Sequence, residues 1–108
     1  MTETIISQGL RASRRRTGLS QLELAFLIGG SDANVSRHER HENLPDLETG
    51  FAYETILRIP ARELFARDAQ AIEEGIRSRA IQLYGRLARG RQSRQTEQKL
   101  EVLRHLTR

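Results

Sequence analysis

Between Ser20 and Asp46 the chain alternates helix-start and helix-stop signals so closely that no strand fits among them. Ser20 and Glu23 have the Ser-x-x-Glu spacing of a capping box. A helix is therefore expected over "QLELAFLI", and Gly29 and Gly30 end it. Ser31 or Asp32 caps a third helix over roughly 32–40. Pro45 pushes Leu44 out of helical geometry. Asp46 then caps a fourth helix that runs to about Leu57. Upstream, Thr4 is placed to cap a first helix reaching about Thr17, with Gly18 as its stop. Downstream, Pro60 opens a short fifth helix. Alternation of apolar and polar residues never persists, so the expected class is all-α.

The pattern changes after Phe65. Phe65, Ala69, Ile72, Ile76, Ala80, Leu83 and Leu87 recur at steps of three and four, which places them on one face of a helix over 66–89. Such a helix is about 36 Å long at 1.5 Å per residue. That is more than a five-helix core needs for cover. Gly90 ends it, and Thr96 is expected to cap a final helix, "EQKLEVLRHL". The organisation expected is a helical domain over 1–65 and a helical extension over 66–108, used for dimerisation or for holding a partner.

Charge narrows the partner class. The formal net charge is +4, and the excess is uneven. Residues 1–40 carry +2, residues 41–65 carry −3 and residues 66–108 carry +5. Six arginines and no acid lie between 75 and 94, and Lys99 is the sole lysine. Arginine-rich basic segments suit phosphate. There is no cysteine, hence no disulfide and no thiolate metal site. No apolar run is long enough to span a bilayer, and the first sixteen residues lack the apolar core of a secretory signal. A cytoplasmic protein with no membrane contact is the expectation.

Catalytic and cofactor constellations are weak. His38, His41 and Glu42 are near one another but lack a fourth ligand and a recognisable metal spacing. Gly29-Gly30 lacks the Lys-Ser/Thr of a phosphate loop. No nucleophile stands with a base. Neither an enzyme nor a cofactor is expected.

Helix, short glycine turn, helix is the helix-turn-helix arrangement. Ala25 supplies the small residue at the close approach of the two helices, Gly29 the turn and Val35 the inward anchor. On helical spacing Asp32, Ala33, Ser36, Arg37 and Arg40 share the outward face. At these residues the chain resembles the Cro/phage-repressor type, or XRE family, of helix-turn-helix regulators. The match runs over about 7–65 through Arg14, Gly18-Leu19-Ser20-Gln21, Leu24-Ala25, Gly29, Ser31, Val35-Ser36, Glu39-Arg40, Pro45, Leu47, Thr49, Leu57, Ile59 and Glu63-Leu64-Phe65.

The resemblance implies a five-helix lambda-repressor-like domain followed by a C-terminal helical extension. It implies that Gln21 contacts a phosphate and that Ser31, Asp32, Ala33, Asn34, Ser36 and Arg37 start a DNA-facing recognition helix. It makes Arg14 and Glu39 a structural ion pair. Three positions depart from the family pattern: His41 stands in place of glycine, Gly30 in place of an apolar residue and Gly50 in place of a core residue. Arg37 is the candidate base reader, because arginine bonds guanine O6 and N7 bidentately. Asp32 either accepts from cytosine or only suits the positive end of its helix.

The function expected from these features is sequence-specific binding of double-stranded DNA by a homodimeric transcriptional regulator, on a palindromic operator. The alternative is an antitoxin-like or protein-interaction module whose C-terminal helices bind a toxin-like partner. An adaptor that has lost DNA binding is the third reading.

Overall fold

The computed structural model describes residues 9–108, and among them the chain is all-α, with no strand. Seven helices follow one another: α1 Gly9–Thr17, α2 Gln21–Ile28, α3 Asp32–Glu39, α4 Leu47–Leu57, α5 Ala61–Leu64, α6 Ala66–Arg89 and α7 Arg94–Leu106. The expected cap Thr4 lies outside the described residues. The chain divides into two compact units, residues 1–66 and residues 67–108.

The helix ends in the first unit are fixed by local hydrogen bonds. The Glu23 amide donates to Ser20 Oγ at 3.0 Å, and the Ser20 amide donates to Glu23 Oε1 at 2.9 Å, closing the capping box. Gly29 ends α2 in the left-handed region at φ 75°. Its amide reaches Phe26 O at 3.2 Å while the Gly30 amide reaches Ala25 O at 2.9 Å, the two bonds of a Schellman motif. Ser31, rather than Asp32, makes the cap bond of α3, accepting from the Asn34 amide at 3.2 Å. Asp46 caps α4 by accepting from the Thr49 amide at 2.9 Å. Glu54 reaches the start of α5, where its carboxylate accepts from the Ala61 amide at 2.6 Å.

His41 makes the same turn as Gly29 without being glycine. Its φ is 61°, its amide donates to His38 O at 3.2 Å, and the Glu42 amide donates to Arg37 O at 3.0 Å. A side chain in this region costs about 1–2 kcal/mol. The imidazole offsets part of that cost by packing edge-on against Phe65, with ring centroids 6.4 Å apart.

The core of the first unit gathers one or two side chains from each helix. Leu10, Leu24, Ala25, Val35, Tyr53, Leu57, Leu64 and Phe65 form one buried cluster, with Ile28, Ile56 and Ile59 packed against it. Phe65 thus belongs to this core and not to the stripe that its spacing suggested. In the second unit α7 turns back beside α6, with the Arg104 guanidinium 5.9 Å from the centre of the Tyr84 ring. The cap of α7 is Ser93, one turn earlier than the expected Thr96. Ser93 Oγ accepts from the Thr96 amide at 3.2 Å, while the Thr96 hydroxyl donates to Arg91 O at 3.1 Å. Thr96 therefore sits inside the first turn, with its hydroxyl bonded back to the connection.

Gly50 lies buried in α4, and a Cβ built there meets no heavy atom within 4 Å. Gly50→Ala is expected to raise the stability of the protein by about 1 kcal/mol, since alanine restricts the unfolded chain and favours helix. An upward shift in the urea midpoint with an unchanged slope checks this.

Candidate nucleic-acid interface

The outward face of α3 is set by what its inward face is tied to. Val35 is fully buried, and His38 and Glu39 lie one turn further along the same side. These positions follow the i, i+3, i+4 spacing of a single helical face. Each makes a different bond to the scaffold.

Glu39 is the junction of three elements. Arg14 of α1 donates to it twice, from Nε to Oε2 at 2.5 Å and from Nη2 to Oε1 at 3.2 Å. Gln21 of α2 donates its side-chain amide to Oε1 at 2.9 Å. Arg14 also donates from Nη1 to Leu19 O at 2.8 Å, in the connection between α1 and α2. The Glu39 side chain is only 2% exposed, so its charge depends on these donors. The hydrogen bond that Arg14 donates to Glu39 raises the pKa of Arg14 against the opposing effect of burial. Arg14 and Glu39 thus stand as an ion pair. Gln21, expected to meet a phosphate, has its amide group turned to Glu39.

His38, weighed from the sequence only as a weak metal-ligand candidate, also faces inward and is buried. It shares a hydrogen bond of 2.8 Å between Nδ1 and the Tyr53 hydroxyl, with the two rings edge to face at 5.8 Å. Burial holds its pKa below the ordinary histidine value, outweighing the attraction of Asp46; Arg37 pushes it further down. Burial also raises the Tyr53 hydroxyl, with help from the charge of Glu39. The signal was present in the spacing, since 38 falls on the arc of 35 and 39. As candidate metal ligands, His38, His41 and Glu42 are otherwise engaged: His38 with Tyr53, His41 against Phe65, and Glu42 with Arg40.

What remains of α3 faces out. Ser31, Asp32, Ala33, Asn34, Arg37 and Arg40 are exposed, and Ser36 is partly so. None of them is a bulky apolar residue. Asp32 sits in the first turn, where its charge suits the positive end of the helix. Two local bonds organise the rest. Arg37 donates from Nη1 to Asn34 Oδ1 at 2.7 Å, and its side chain stays exposed. Arg40 donates to Ser36 Oγ at 2.5 Å and to Glu42 Oε2 at 2.9 Å. Exposed pairs of this kind hold weakly and give way readily to a stronger anionic partner.

No family model, curated protein or solved structure matches this chain. The functional reading therefore rests on the residues themselves.

Arg14→Ala is expected to cost about 3–5 kcal/mol, because it strands the Glu39 charge in a buried site. Replacing both partners together, as Arg14→Met with Glu39→Leu, is expected to cost much less. Urea titrations of the two variants against wild type check this.

His38 predicts a pH dependence of known sign. Its folded pKa lies below the unfolded value of 6.5, so the unfolded chain binds the proton first. Its contribution is fully present above about pH 6.5 and is lost as pH falls below that value. Stability measured from pH 7 to pH 5 is expected to decline in wild type and to flatten in His38→Gln.

Proposed function

We propose that this protein is a DNA-binding transcriptional regulator of the Cro/phage-repressor (XRE) type, with a five-helix lambda-repressor-like helix-turn-helix domain over 1–65. In this reading α2, the Gly29-Gly30-Ser31 turn and α3 form the motif, and α3 enters the major groove. The protein acts in the cytoplasm as a homodimer on a palindromic operator, the two half-sites being about one DNA turn, 34–36 Å, apart.

One observation carries the reading. The helix α3 is anchored by Val35, His38 and Glu39 on one side and presents Asp32, Ala33, Asn34, Ser36, Arg37 and Arg40 on the other. An α-helix with its side chains is about 10–12 Å across, a fit to a major groove about 12 Å wide. Roles follow from chemistry. Arg37 reads guanine with its exposed guanidinium. Asn34 positions Arg37 or turns to adenine. Ala33 meets a thymine methyl, and Ser31, Ser36 and Arg40 contact backbone or base edges. Gln21 lies at the start of α2, and its amide reaches a phosphate by leaving Glu39.

Selection of bound duplexes from a random DNA pool tests the reading. An enriched palindrome is the expected outcome, and no enrichment would refute sequence-specific binding. Arg37→Ala is expected to lose about 1–3 kcal/mol of discrimination at a single base position. An equal loss on every sequence would show that Arg37 holds phosphate and does not read a base.

A further inference from the structure

The second unit is incomplete as it stands. Its buried side chains are Ala80, Thr96, Leu100 and Leu103, a small core for helices of 24 and 13 residues. Units of about 40 residues are seldom stable on so little without a disulfide, a metal or a second chain. The α6 stripe is covered by α7 on the Ala80 side only. Ile72 and Ile76 remain 52% and 40% exposed, Leu83 40% and Leu106 37%. Ile76, Ala80, Leu83, Leu103 and Leu106 line one open apolar groove with Arg79 at its edge.

We infer that this groove is closed by the α6 helix of a second copy, antiparallel to the first, about a two-fold axis between residues 79 and 80. The inference rests on the homodimer in the proposed function and gives it a surface and a register. Two properties of α6 select this occupant. The stripe is complementary to its own reverse: about that centre, Ile76 meets Leu83 and Ile72 meets Leu87 of the other copy. Toward the helix ends the charges are complementary as well, while the two Arg79 side chains lie at the groove edge beside the axis. Asp68, Glu73 and Glu74 lie within the first nine residues of α6 against Arg67, while Arg77, Arg79, Arg86 and Arg89 follow with no acid. Antiparallel packing brings the acidic start of each helix to the basic end of the other. Parallel packing sets like charges side by side, which costs stability. With α7 of each copy alongside, the result is a four-helix bundle with an isologous interface.

The test uses the full chain without DNA. Light scattering at micromolar concentration is expected to give twice the 12.4 kDa chain mass. Ile76→Asp is expected to halve that mass. Ile81→Asp, an equally polar change at an exposed isoleucine outside the groove, is expected to leave the mass doubled. Circular dichroism confirms that both variants keep their helices. The chain has no cysteine, so single cysteines report register cleanly. Arg79→Cys is expected to oxidise to a covalent dimer. Ile72→Cys alone is not, because its two copies lie about 22 Å apart along the axis, whereas Ile72→Cys mixed with Leu87→Cys is expected to cross-link. A monomeric wild type, a dimer indifferent to Ile76→Asp, or self-linking of Ile72→Cys would each overturn the inference. A dimer that enriches no DNA would refute the DNA reading alone and leave the interface standing.

Discussion

The buried contact between Arg14 and Glu39 is the constraint on which the arrangement of the first unit depends. It ties α1 to α3, and through Gln21 and Leu19 O it also engages α2 and the connection before it. A carboxylate that is almost wholly buried tolerates only one rotational setting of its helix, because any other strands a charge in an apolar environment. With Val35 fixing the same side, the rotation of α3 about its own axis is decided. Which residues face outward then follows without further choice. The apolar core alone would not do this, since apolar packing tolerates small rotations far better than a bidentate ion pair does.

The outward face of α3 is a surface of small, polar and cationic groups, held in place by bonds too weak to resist a ligand. Asn34 with Arg37, and Ser36 and Glu42 with Arg40, keep two guanidinium groups ordered in the free protein. That ordering lowers the entropy lost when a side chain is fixed against a base or phosphate. The second unit has the opposite character. Its chemistry is an apolar stripe flanked by a charge gradient, which suits assembly more than recognition of small ligands. In the proposed function a reader of a few base pairs needs a second copy for specificity, which joins the two properties in one molecule.

Much of this was legible in the residues. Ser20, Glu23, Gly29, Ser31 and Asp46 announce the ends of α2, α3 and α4 because capping is chemistry between neighbours, and neighbours are what a sequence lists. The span of α6 was legible for a related reason, as Gly90 and the apolar spacing are both local. Two local readings missed. Thr96 resembled a cap, yet Ser93 lies one turn earlier and accepts from the Thr96 amide, which places Thr96 inside the helix. Phe65 matched the spacing of the α6 stripe, yet it packs into the core of the first unit, where His41, standing in place of glycine at positive φ, lies against its ring.

What the sequence determined by itself was the set of helices, most of their boundaries and most of the residues that share each face, since these depend on bonds a few residues long and on a 3.6-residue period. What only the tertiary structure decided was which groups meet across the chain. His38 pairs with Tyr53, Gln21 turns to Glu39, and half of the α6 stripe is left uncovered by α7. Each of these depends on the rotation and spacing of packed helices. No periodicity encodes that geometry, because it is set jointly by side-chain volumes and by the need to satisfy every buried charge.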